Sequence, residues 1–599
     1  MESVSPIEEY RRKADSCRVK RNALSRGRNY ITVAKILVIA AVLWFIYLWA
    51  DGGNGLFAIV VALAVAAFVL LDFYERRLLA QKERFEILER ILSWEAGYLK
   101  GDFSHFRTGE EFADDAHAYA RDLDIFGDKS LFQAIDRTVL PGSDEKLASW
   151  LKTPCTDRDE ITARQRAAAC LAGDMDWCFS FRASAMQHPL TSMDDDTVRQ
   201  WVKTSPFFRH RVCLAAVCSL NVVTVAALVS GFFVSGMHYV FSMLFLFQLF
   251  CVLFFTGRIN RVHALLGRFF KGVGNYHYPL AILAEWKDRD KPAMLADACG
   301  TLFGGGHDAA EAFRRVKAIL NALDNRGNWL VMILLNGLYC RDFHTMRRLD
   351  RWKDRYAAFI PAWLDALTTV DVLASMAGFR HNHAGYAVPR VDDSCILRTK
   401  DMSHPLVFYR ENVGNDFSID ALHELFILTG ANMSGKSTFL RALGVNWVLA
   451  MTGNVVSADS FSFKPMPILT GMRTSDNLSA GISYFKSEIT RLKMIYDTVS
   501  ASSGTLVVLD EILKGTNSTD KLNGSMRFLE KLFRLPVAGV VATHDLELGG
   551  LAGKHPDNFR NICFEIGQRD DDIVYDYKLK RGVSRNMNAT FLLEKLGLI

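Results

Sequence analysis

The chain has 599 residues, which exceeds one ordinary domain and predicts about three to four units that each bury a core. Its net charge of +5 is small for this length, which argues against a strongly basic nucleic-acid-binding surface as the dominant feature, although a balanced total can contain a local basic patch. Hydrophobic residues make up 50% of the chain and charged residues 23%, a mixture that predicts membrane spans attached to soluble domains. The eleven cysteines are scattered without a C-x-x-C pair, which predicts buried thiols in a reducing compartment rather than disulfides or a zinc site.

The amino-terminal part predicts a basic cytoplasmic segment followed by a transmembrane hairpin. Residues 1–30 are rich in arginine and lysine, and a glycine-rich turn separates the uncharged runs 36–50 and 56–71. Each run is near the lower length limit of a membrane span, and the first lengthens if the Lys35 side chain reaches out to the headgroups. Positive charge flanks both outer ends, so we expect a hairpin over 31–76 with both ends in the cytoplasm. The alternative is a buried helical hairpin of a large soluble core, whereas a signal peptide is disfavoured because no cleavage-site pattern follows.

A second apolar hairpin is predicted over 207–260. Residues 212–257 are uncharged, and a polar turn at 235–238 divides them into two lengths that each suit a span. Arginines lie outside both ends of this run as well, so we expect the same orientation and four spans in total. Apart from Lys35 and His238, the spans contain no acidic or basic side chain, which argues against a transporter subunit.

The segments on either side of the second hairpin show soluble helical patterning. Residues 77–206 and 261–402 carry apolar side chains at helical spacing. Within the later segment, residues 347–356 mix arginine, lysine and aspartate with aromatic residues. Alternating charge on a long helix is typical of a solvated face, and contact with phosphate groups is the less favoured alternative.

From residue 406 onward, strand-like runs alternate with helical ones. Apolar runs of strand length occupy 425–429, 505–509, 537–543 and 562–566. This alternation predicts an α/β domain with a largely parallel sheet.

A glycine-bracketed loop follows the first of these strands. Residues 430–437 fit the pattern G-x-x-x-x-G-K-[ST], and residues 439–443 continue as an amphipathic helix. In this pattern backbone N–H groups surround phosphates, the lysine neutralises the terminal phosphates and the hydroxyl binds magnesium. We therefore predict nucleotide binding, with a glycine-rich turn between core elements as the alternative. The expected ATP contacts, of which Ser437 also binds magnesium, are Gly430, Ala431, Asn432, Met433, Ser434, Gly435, Lys436, Ser437 and Thr438.

Two further strand ends supply groups suited to hydrolysis. One apolar run ends in Asp510 and Glu511, and another ends in His544 at the same edge of the sheet. The aspartate suits the magnesium shell, the glutamate can polarise the attacking water, and the histidine can sense the γ-phosphate or that water. We expect Glu511, His544 and Lys436 to act in catalysis and Asp510 to bind magnesium. Each acid by itself would be unremarkable, and the histidine by itself more often has a structural role.

Together these residues resemble the MutS family of mismatch-repair ATPases, which are relatives of ABC-transporter nucleotide-binding domains. The loop is similar in containing the Asn432-Met433 pair. The Asp-Glu-Ile segment at 510–512 with the run 515–519, and the Ala-Thr-His run at 542–544, are also similar to family motifs.

The resemblance also implies how subunits cooperate. The loop 476–485, which leads to Glu488, is similar to the family loop that presents a serine to the ATP of the opposite subunit. By this likeness Ser483 makes the contact in trans. The resemblance therefore implies a homodimer with two composite sites and with ATP and magnesium as cofactors.

The likeness covers about residues 120–599 and is strongest after 403. Upstream, the runs 130–138 and 150–165 look like the start of the family's helical core. The run 371–377 looks like the end of its lever helix, and 403–405 looks like the entry to its ATPase. No segment resembles the mismatch-reading domain or an evident DNA clamp, and 513–514 and 520–523 depart from the usual family run. These departures argue against mismatch repair as the role.

The expected fold is an α/β P-loop ATPase domain of the ABC/MutS type, an all-α core and lever domain, and two transmembrane helical hairpins. The expected divisions are the basic terminus at 1–30, hairpin 1 at 31–76 and the first part of the core at 77–206. They continue with hairpin 2 at 207–260, the second part of the core with the lever at 261–402, and the ATPase domain at 403–599. The favoured interpretation is a multi-pass, membrane-anchored MutS-like ATPase in the cytoplasmic (inner) membrane, with its ATPase domain in the cytoplasm. It would hydrolyse ATP as a dimer and couple this to movement of its helical core. The alternative is a DNA-binding, mismatch-repair-related protein tethered to the membrane, so the expected partners are a second copy and the lipid bilayer, with DNA possible.

Overall fold

The computed structural model describes most of the chain. The described residues are 5–52, 55–153, 155–190, 207, 211–269, 272–324, 326, 329–407, 412–431, 434–473, 484–569 and 572–584. The predicted site residues Asn432, Met433 and Ser483 lie outside these ranges, as does the tip of the first hairpin at 53–54.

Helices dominate the chain up to residue 382. In chain order they are α1 Pro6–Gly52, α2 Gly55–Tyr98, α3 Leu131–Ile135, α4 Ser143–Lys152, α5 Arg158–Ala172, α6 Met175–Gln187, α7 Arg211–Ser230, α8 Met237–Phe269, α9 His277–Leu283, α10 Ala293–Phe303, α11 Ala309–Asp324, α12 Trp329–Tyr339, α13 Arg341–Tyr356 and α14 Ile360–Asn382. The large helical part agrees with the expected fold class.

The first two helices form a long antiparallel hairpin. They contain 47 and 44 residues, so both continue beyond the uncharged runs as a two-helix stalk. At the base of the apolar part, Lys35 Nζ lies 2.8 Å from Asp72 and 2.9 Å from Glu75. Further along the stalk, Arg21 pairs with Glu89 at 2.7 Å. The sequence predicted that the Lys35 side chain can reach out to the headgroups, and the structure adds that it pairs with two acids of the facing helix.

The second hairpin is formed by α7 and α8, and a third apolar helix, α12, packs beside it. Within the hairpin, Gln248 donates to the Thr224 hydroxyl at 2.6 Å. The Phe245 ring lies against Gly337 of α12, where an added Cβ would be only 2.3 Å from the ring. The sequence analysis placed α12 in the soluble core, and its docking on the hairpin is a feature that the sequence pattern did not reveal.

Three helical stretches among the described residues are long and apolar enough to cross a membrane, judged by length and composition: Pro6–Ala50, Met237–Ala264 and Arg341–Asn382. In the first two stretches, only 6% and 11% of the apolar 18-residue segment is buried. In the third, half of the segment is buried, because this stretch comprises α13 and α14 of the helical core. Residues Ala215–Ser230 of α7 form a shorter apolar helix.

A buried polar network ties the stalk to the long helix α14. The Glu95 carboxylate of α2 is 3% exposed and accepts bonds from Arg137 at 2.7 Å, Arg182 at 2.9 Å and Asn382 at 3.0 Å. The Tyr10 hydroxyl of α1 donates to the side-chain oxygen of Asn382 at 2.5 Å. These bonds fix the base of the first hairpin on the carboxyl-terminal end of α14.

Two β-sheets form the carboxyl-terminal part. The larger has the order β10-β9-β4-β8-β7-β6 and the smaller has the order β1-β5-β2-β3. The strands are β1 Arg390–Val391, β2 Leu397–Met402, β3 Asn415–Ile419, β4 Glu424–Thr429, β5 Ser460–Phe463, β6 Ile468–Gly471, β7 Thr505–Asp510, β8 Val537–Thr543, β9 Phe559–Arg569 and β10 Asp572–Arg581. The helices of this part are α15 Lys436–Thr452, α16 Tyr484–Ser500, α17 Ser518–Leu532 and α18 Leu551–Lys554.

The centre of the larger sheet is parallel and buried. β4, β7 and β8 pair in parallel, and their continuous apolar runs suit strands covered on both faces. At Gly539 of β8 an added Cβ would lie 1.9 Å from the Val507 carbonyl oxygen, so a side chain at this position would push the two strands apart. All four predicted strand runs form strands of this sheet. The smaller sheet, which begins at Arg390, was not predicted from the sequence, because its strands are short and β2 is half-exposed.

A segment at 114–125 docks the helical part onto the α/β domain. The Asp122 carboxylate accepts the Thr470 hydroxyl at 2.6 Å and the Arg473 backbone N–H at 2.9 Å. Arg473 also pairs with Asp124 at 2.5 Å. Because Thr470 lies on β6, these contacts connect the edge of the larger sheet to the helical core.

Candidate active site

The predicted phosphate loop joins β4 to α15. Gly435 caps the helix with a φ of 101°, in the left-handed region that glycine adopts without a Cβ clash. An added Cβ at Gly435 would also lie 3.1 Å from the Tyr577 ring. The amino terminus of α15 places free backbone N–H groups and the positive end of the helix dipole at the loop, which is an arrangement suited to anions.

Lys436 is the first residue of α15 and its side chain folds back over the loop. Its Nζ donates to the carbonyl oxygens of Gly430 at 2.7 Å and Ala431 at 2.8 Å. Burial lowers the pKa of Lys436 to about 8, although two nearby carboxylates oppose this. A group with this pKa loses its charge just above neutral pH unless an anion lies beside it.

The predicted magnesium ligands lie next to each other. The Ser437 hydroxyl donates to Asp510 Oδ2 at 2.6 Å, which joins the start of α15 to the end of β7. Within the described ranges, no cluster of three or more His, Cys, Asp or Glu side chains could hold a metal ion by itself. A magnesium ion at Ser437 and Asp510 would therefore take its other ligands from water and phosphate oxygens, as this ion commonly does.

Glu511 directly follows β7 and is held in an unusual backbone conformation. Its φ of 56° lies in the left-handed region, and its N–H donates to the Ala542 carbonyl of β8 at 2.9 Å. Its carboxylate lies 3.3 Å from Lys521 Nζ and 3.6 Å from Lys514 Nζ. Burial opposes ionisation of this carboxyl, but the cationic Lys521 together with His544 and Lys514 lowers its pKa. Glu511 is therefore ionised and available as a base at neutral pH.

His544 follows β8 and lies between the lysine and the glutamate. Its Nδ1 is 3.5 Å from Lys436 Nζ, and its Nε2 is 3.9 Å from Glu511 Oε1. Burial, and then the charge of Lys436, lower the pKa of His544. The ring is thus neutral at pH 7 and can both donate and accept a hydrogen bond.

One cavity of about 550 Å³, a size typical of small-molecule sites, is lined by the five predicted catalytic and magnesium-binding side chains: Lys436, Ser437, Asp510, Glu511 and His544. Thr438 is exposed and also lines it. The rest of the lining comes from strand β2, the segment between β2 and β3, strand β3, helix α15 and strand β10: Met402, His404, Val407, Asn415, Phe439 and Tyr577.

The structure brings most of the predicted site residues together and adds three that the sequence analysis missed. Lys514 and Lys521 reach Glu511, and Tyr577 covers Gly435. The two lysines lie in the runs 513–514 and 520–523, which depart from the family pattern. This departure was the signal in the sequence that could have pointed to them. Tyr577 gave no signal, because it enters the site from an antiparallel edge strand far along the chain.

Fold and site together define an α/β domain whose parallel strand ends carry a glycine-bracketed loop, two acids and a histidine. Residues 426–590 match the family model described as MutS domain V. The likeness of this region to MutS proteins confirms the resemblance predicted from the sequence.

Relatives with this region come from bacteria and animals. The DNA mismatch repair protein MutS of Acetivibrio thermocellus is 32% identical over 228 residues, which are 37% of this chain and 26% of that protein. The DNA mismatch repair protein MutS of Symbiobacterium thermophilum is 33% identical over 224 residues, 36% of this chain and 25% of the relative. MutS protein homolog 4 of Mus musculus is 30% identical over 232 residues, 37% of this chain and 24% of the relative. The match thus spans about a quarter of the length of these relatives.

Proposed function

We propose that the chain binds ATP at the β4–α15 loop and hydrolyses it to ADP and phosphate. The observation that carries this proposal is the convergence, around one cavity, of five side chains suited to nucleotide hydrolysis: Lys436, Ser437, Asp510, Glu511 and His544.

The loop is assigned to the phosphates of ATP. The Ser434 hydroxyl is buried and has no hydrogen-bond partner among the described residues, so a phosphate oxygen could satisfy it. Lys436 donates to loop carbonyls that a phosphate could replace, and an adjacent anion would favour its charged form. Magnesium bound through Ser437 and Asp510 would neutralise charge on the β- and γ-phosphates.

Glu511 and His544 are assigned to the hydrolytic step. As an ionised carboxylate, Glu511 would accept a hydrogen bond from the attacking water and orient it in line with the γ-phosphate. His544, neutral and within 4 Å of both Lys436 and Glu511, would hydrogen-bond to the γ-phosphate or to that water.

The test of ATP binding is Lys436→Ala in the full-length protein. We expect loss of binding of a fluorescent ATP analogue and of phosphate release, because the variant removes the cation of the loop. The matched control is Lys531→Ala, which removes an exposed lysine of α17. Hydrolysis at the wild-type rate in Lys436→Ala would contradict the proposal.

We further propose that the active unit is a homodimer in which Ser483 reaches the ATP of the partner subunit. If so, co-expression of a Lys436→Ala chain with a Ser483→Arg chain leaves one intact composite site in each mixed dimer. We expect partial recovery of ATPase activity, whereas each variant alone is inactive. No recovery despite demonstrated mixed dimers would contradict the trans role and favour a local helix-capping role for Ser483.

Membrane anchoring is proposed for the two hairpins. The supporting observation is that their apolar side chains face outward: Trp44 is 62% exposed on α1, Leu63 is 66% exposed on α2 and Phe254 is 74% exposed on α8. Such a surface would be costly in water, and lipid would cover it. We expect the protein to resist carbonate extraction and labelling from outside the cell to reach Met237 but not Ser403. Recovery in the soluble fraction after mild lysis would end this proposal.

Coupling between nucleotide and membrane helices is proposed to pass through the helical core. The segment 114–125 binds the β6 edge of the sheet, and the Glu95 network binds the base of the first hairpin to α14. Rearrangement of the α/β domains on ATP binding would therefore displace helices that continue into the hairpins.

The alternative function is DNA binding at the membrane through the helical core. It is favoured by the names of the relatives, which are DNA mismatch repair proteins. A duplex-binding assay at increasing salt tests for DNA binding, since contacts with DNA phosphates cause a steep loss of affinity as salt rises. The alternative is favoured if the protein binds duplex DNA and still binds it after the charges of the amino-terminal stalk are removed.

A further inference from the structure

A second cavity, of about 370 Å³, lies in the helical core between α11 and α13. Its floor is apolar and includes Ala318, Ile319 and Ala322 of α11. Arginines surround this floor, one from α11 and three from α13: Arg315, Arg348, Arg351 and Arg355. We refer to this cavity as the arginine groove.

Three of these arginines have no ion-pair partner within the part of the chain that the structure describes. Arg315 pairs with Glu311 at 2.7 Å. Arg348, Arg351 and Arg355 are exposed, and none of them forms an ion pair with another residue in the described ranges. Their spacing of three and four residues places them on one face of α13.

The acids of α13 do not neutralise this face. Asp342 is buried and pairs with Arg326 at 2.7 Å, and Asp350 accepts a backbone N–H at 2.8 Å. Asp354 is exposed but does not line the groove. A solvated face was predicted for 347–356, and Arg348, Arg351 and Arg355 are indeed exposed. The structure adds that these arginines lie together beside an apolar floor.

The apolar helix α12 leads directly into α13. Its side chains Trp329, Leu330 and Leu334 are between 52% and 69% exposed. Its eleven residues span about 16 Å at 1.5 Å per residue, which is about half the thickness of a hydrocarbon core. A helix of this length can enter one leaflet but cannot cross the bilayer.

Contacts with the second hairpin orient α12. Just before its start, Arg326 donates to Asn260 of α8 at 2.7 Å, and near its end Gly337 packs against the Phe245 ring. α12 therefore runs antiparallel to α8, from the positively flanked end of the hairpin toward its middle. From that point α13 leads back along α8, since Cys340 contacts Gln248 and Phe343 contacts Phe255. We infer from this direction that the arginine groove lies near the end of the apolar surface.

On this basis we propose that the arginine groove binds the anionic headgroup of a membrane phospholipid whose acyl chains lie along α12. Guanidinium groups bind phosphate oxygens through paired hydrogen bonds, and the apolar floor suits the lipid backbone. The apolar floor, which lies on the helix that precedes α12 in the chain, favours a lipid over a nucleic-acid strand, which would need a longer charged track. The proposal rests on the membrane attachment proposed above.

The test uses the full-length protein in mixed micelles that contain phosphatidylcholine and phosphatidylglycerol. The two lipids that co-purify with each protein are counted by mass spectrometry. The groove variant carries Arg348→Gln, Arg351→Gln and Arg355→Gln, and a second variant carries lysine at the same three positions. The matched control replaces by glutamine three exposed arginines outside the groove: Arg166, Arg390 and Arg534.

We expect the wild type and the control to retain several-fold more phosphatidylglycerol than phosphatidylcholine. The lysine variant should retain a smaller excess of phosphatidylglycerol, and the groove variant should retain no excess of it. The groove variant should still sediment with membranes and hydrolyse ATP, which excludes misfolding. If the wild type itself is soluble after lysis, membrane attachment fails and the groove proposal fails with it. If the protein is membrane-bound but groove variant and control retain the same excess, only the groove proposal is overturned. It is also overturned if the variant loses binding of a short DNA duplex while its lipid ratio is unchanged, because the groove would then be a nucleic-acid surface.

Discussion

The α/β domain and the helical core both gather ionisable side chains, but they hold them in different ways. In the α/β domain, a lysine, two acids and a histidine line an open cavity. In the helical core, Glu95 is almost completely buried between Arg137 and Arg182, with a further bond from Asn382. The first arrangement leaves charged groups accessible to a ligand, and the second uses them to join helices.

The contacts of these ionisable side chains also differ between the cavity and the helical core. Lys436 donates to loop carbonyls and Glu511 lies 3.3 Å or more from its cations, so a ligand can replace these contacts. Glu95 accepts three bonds of 3.0 Å or less, and no solvent can replace them. We therefore expect substitutions in the cavity to change chemistry with little effect on stability, and substitutions in the core network to do the reverse.

The largest expected effect is on stability. Glu95→Gln leaves two arginines buried without a counter-charge, and we expect it to lower the free energy of unfolding by about 3–5 kcal/mol. Burial alone would raise the pKa of Glu95, but Arg137 and Arg182 lower it, so its stabilising contribution is present at neutral pH and is lost as the pH falls into the acid range. Urea unfolding of the detergent-solubilised protein measures this, with the partly exposed Glu89→Gln on the same helix as control. If both substitutions lower the free energy of unfolding equally, the buried Glu95 network is no more important for stability than a partly exposed ion pair.

The next effect is on hydrolysis. Glu511→Gln should retain ATP binding and slow phosphate release by about 100-fold or more, because the amide cannot accept a proton from the attacking water. His544→Ala should resemble it, and unfolding should be unchanged in both. Single-turnover hydrolysis with Glu530→Gln as control measures the change. An unchanged turnover in Glu511→Gln would show that another residue positions the water.

A smaller effect concerns pH. Because the pKa of Lys436 is about 8 in the free protein, its cation is present below this pH and is lost above it. ATP favours the charged lysine, so the affinity for ATP should fall as the pH rises above about 8, and binding there should take up a proton. Lys436→Arg stays charged and should show a flatter profile. The same slope in both proteins, measured by titration of a fluorescent analogue, would assign the pH dependence to another group.

The smallest effect tests a single bond of the core network. Tyr10→Phe removes the hydroxyl that donates to Asn382 and should lower the free energy of unfolding by about 1 kcal/mol without changing ATP turnover. Tyr30→Phe, at an exposed tyrosine of the same helix, is the control. A change in turnover without a change in unfolding would mean that this bond belongs to the coupling path rather than to the scaffold.

Much of the α/β domain could be predicted from the sequence. The apolar runs ending at 429, 509 and 543 form β4, β7 and β8, and the loop pattern begins where β4 ends. These features are local, because an apolar run bounded by glycine or acidic residues has the same meaning wherever the strand is placed in the sheet. The mixed α/β and helical fold and the MutS resemblance followed from them.

The contacts that the sequence could not predict join residues far apart in the chain or depend on how a helix is rotated. Lys521 reaches Glu511 only because α17 packs beside the end of β7, and Lys35 meets Asp72 only because α1 and α2 lie face to face. The arginine groove likewise exists because α13 turns three arginines to one side, whereas the linear sequence shows alternating charge. The sequence by itself determined the strands, the phosphate loop and the apolar runs, since these depend on neighbours along the chain. The tertiary structure alone decided which charges meet and which remain unpaired, since this depends on packing between elements.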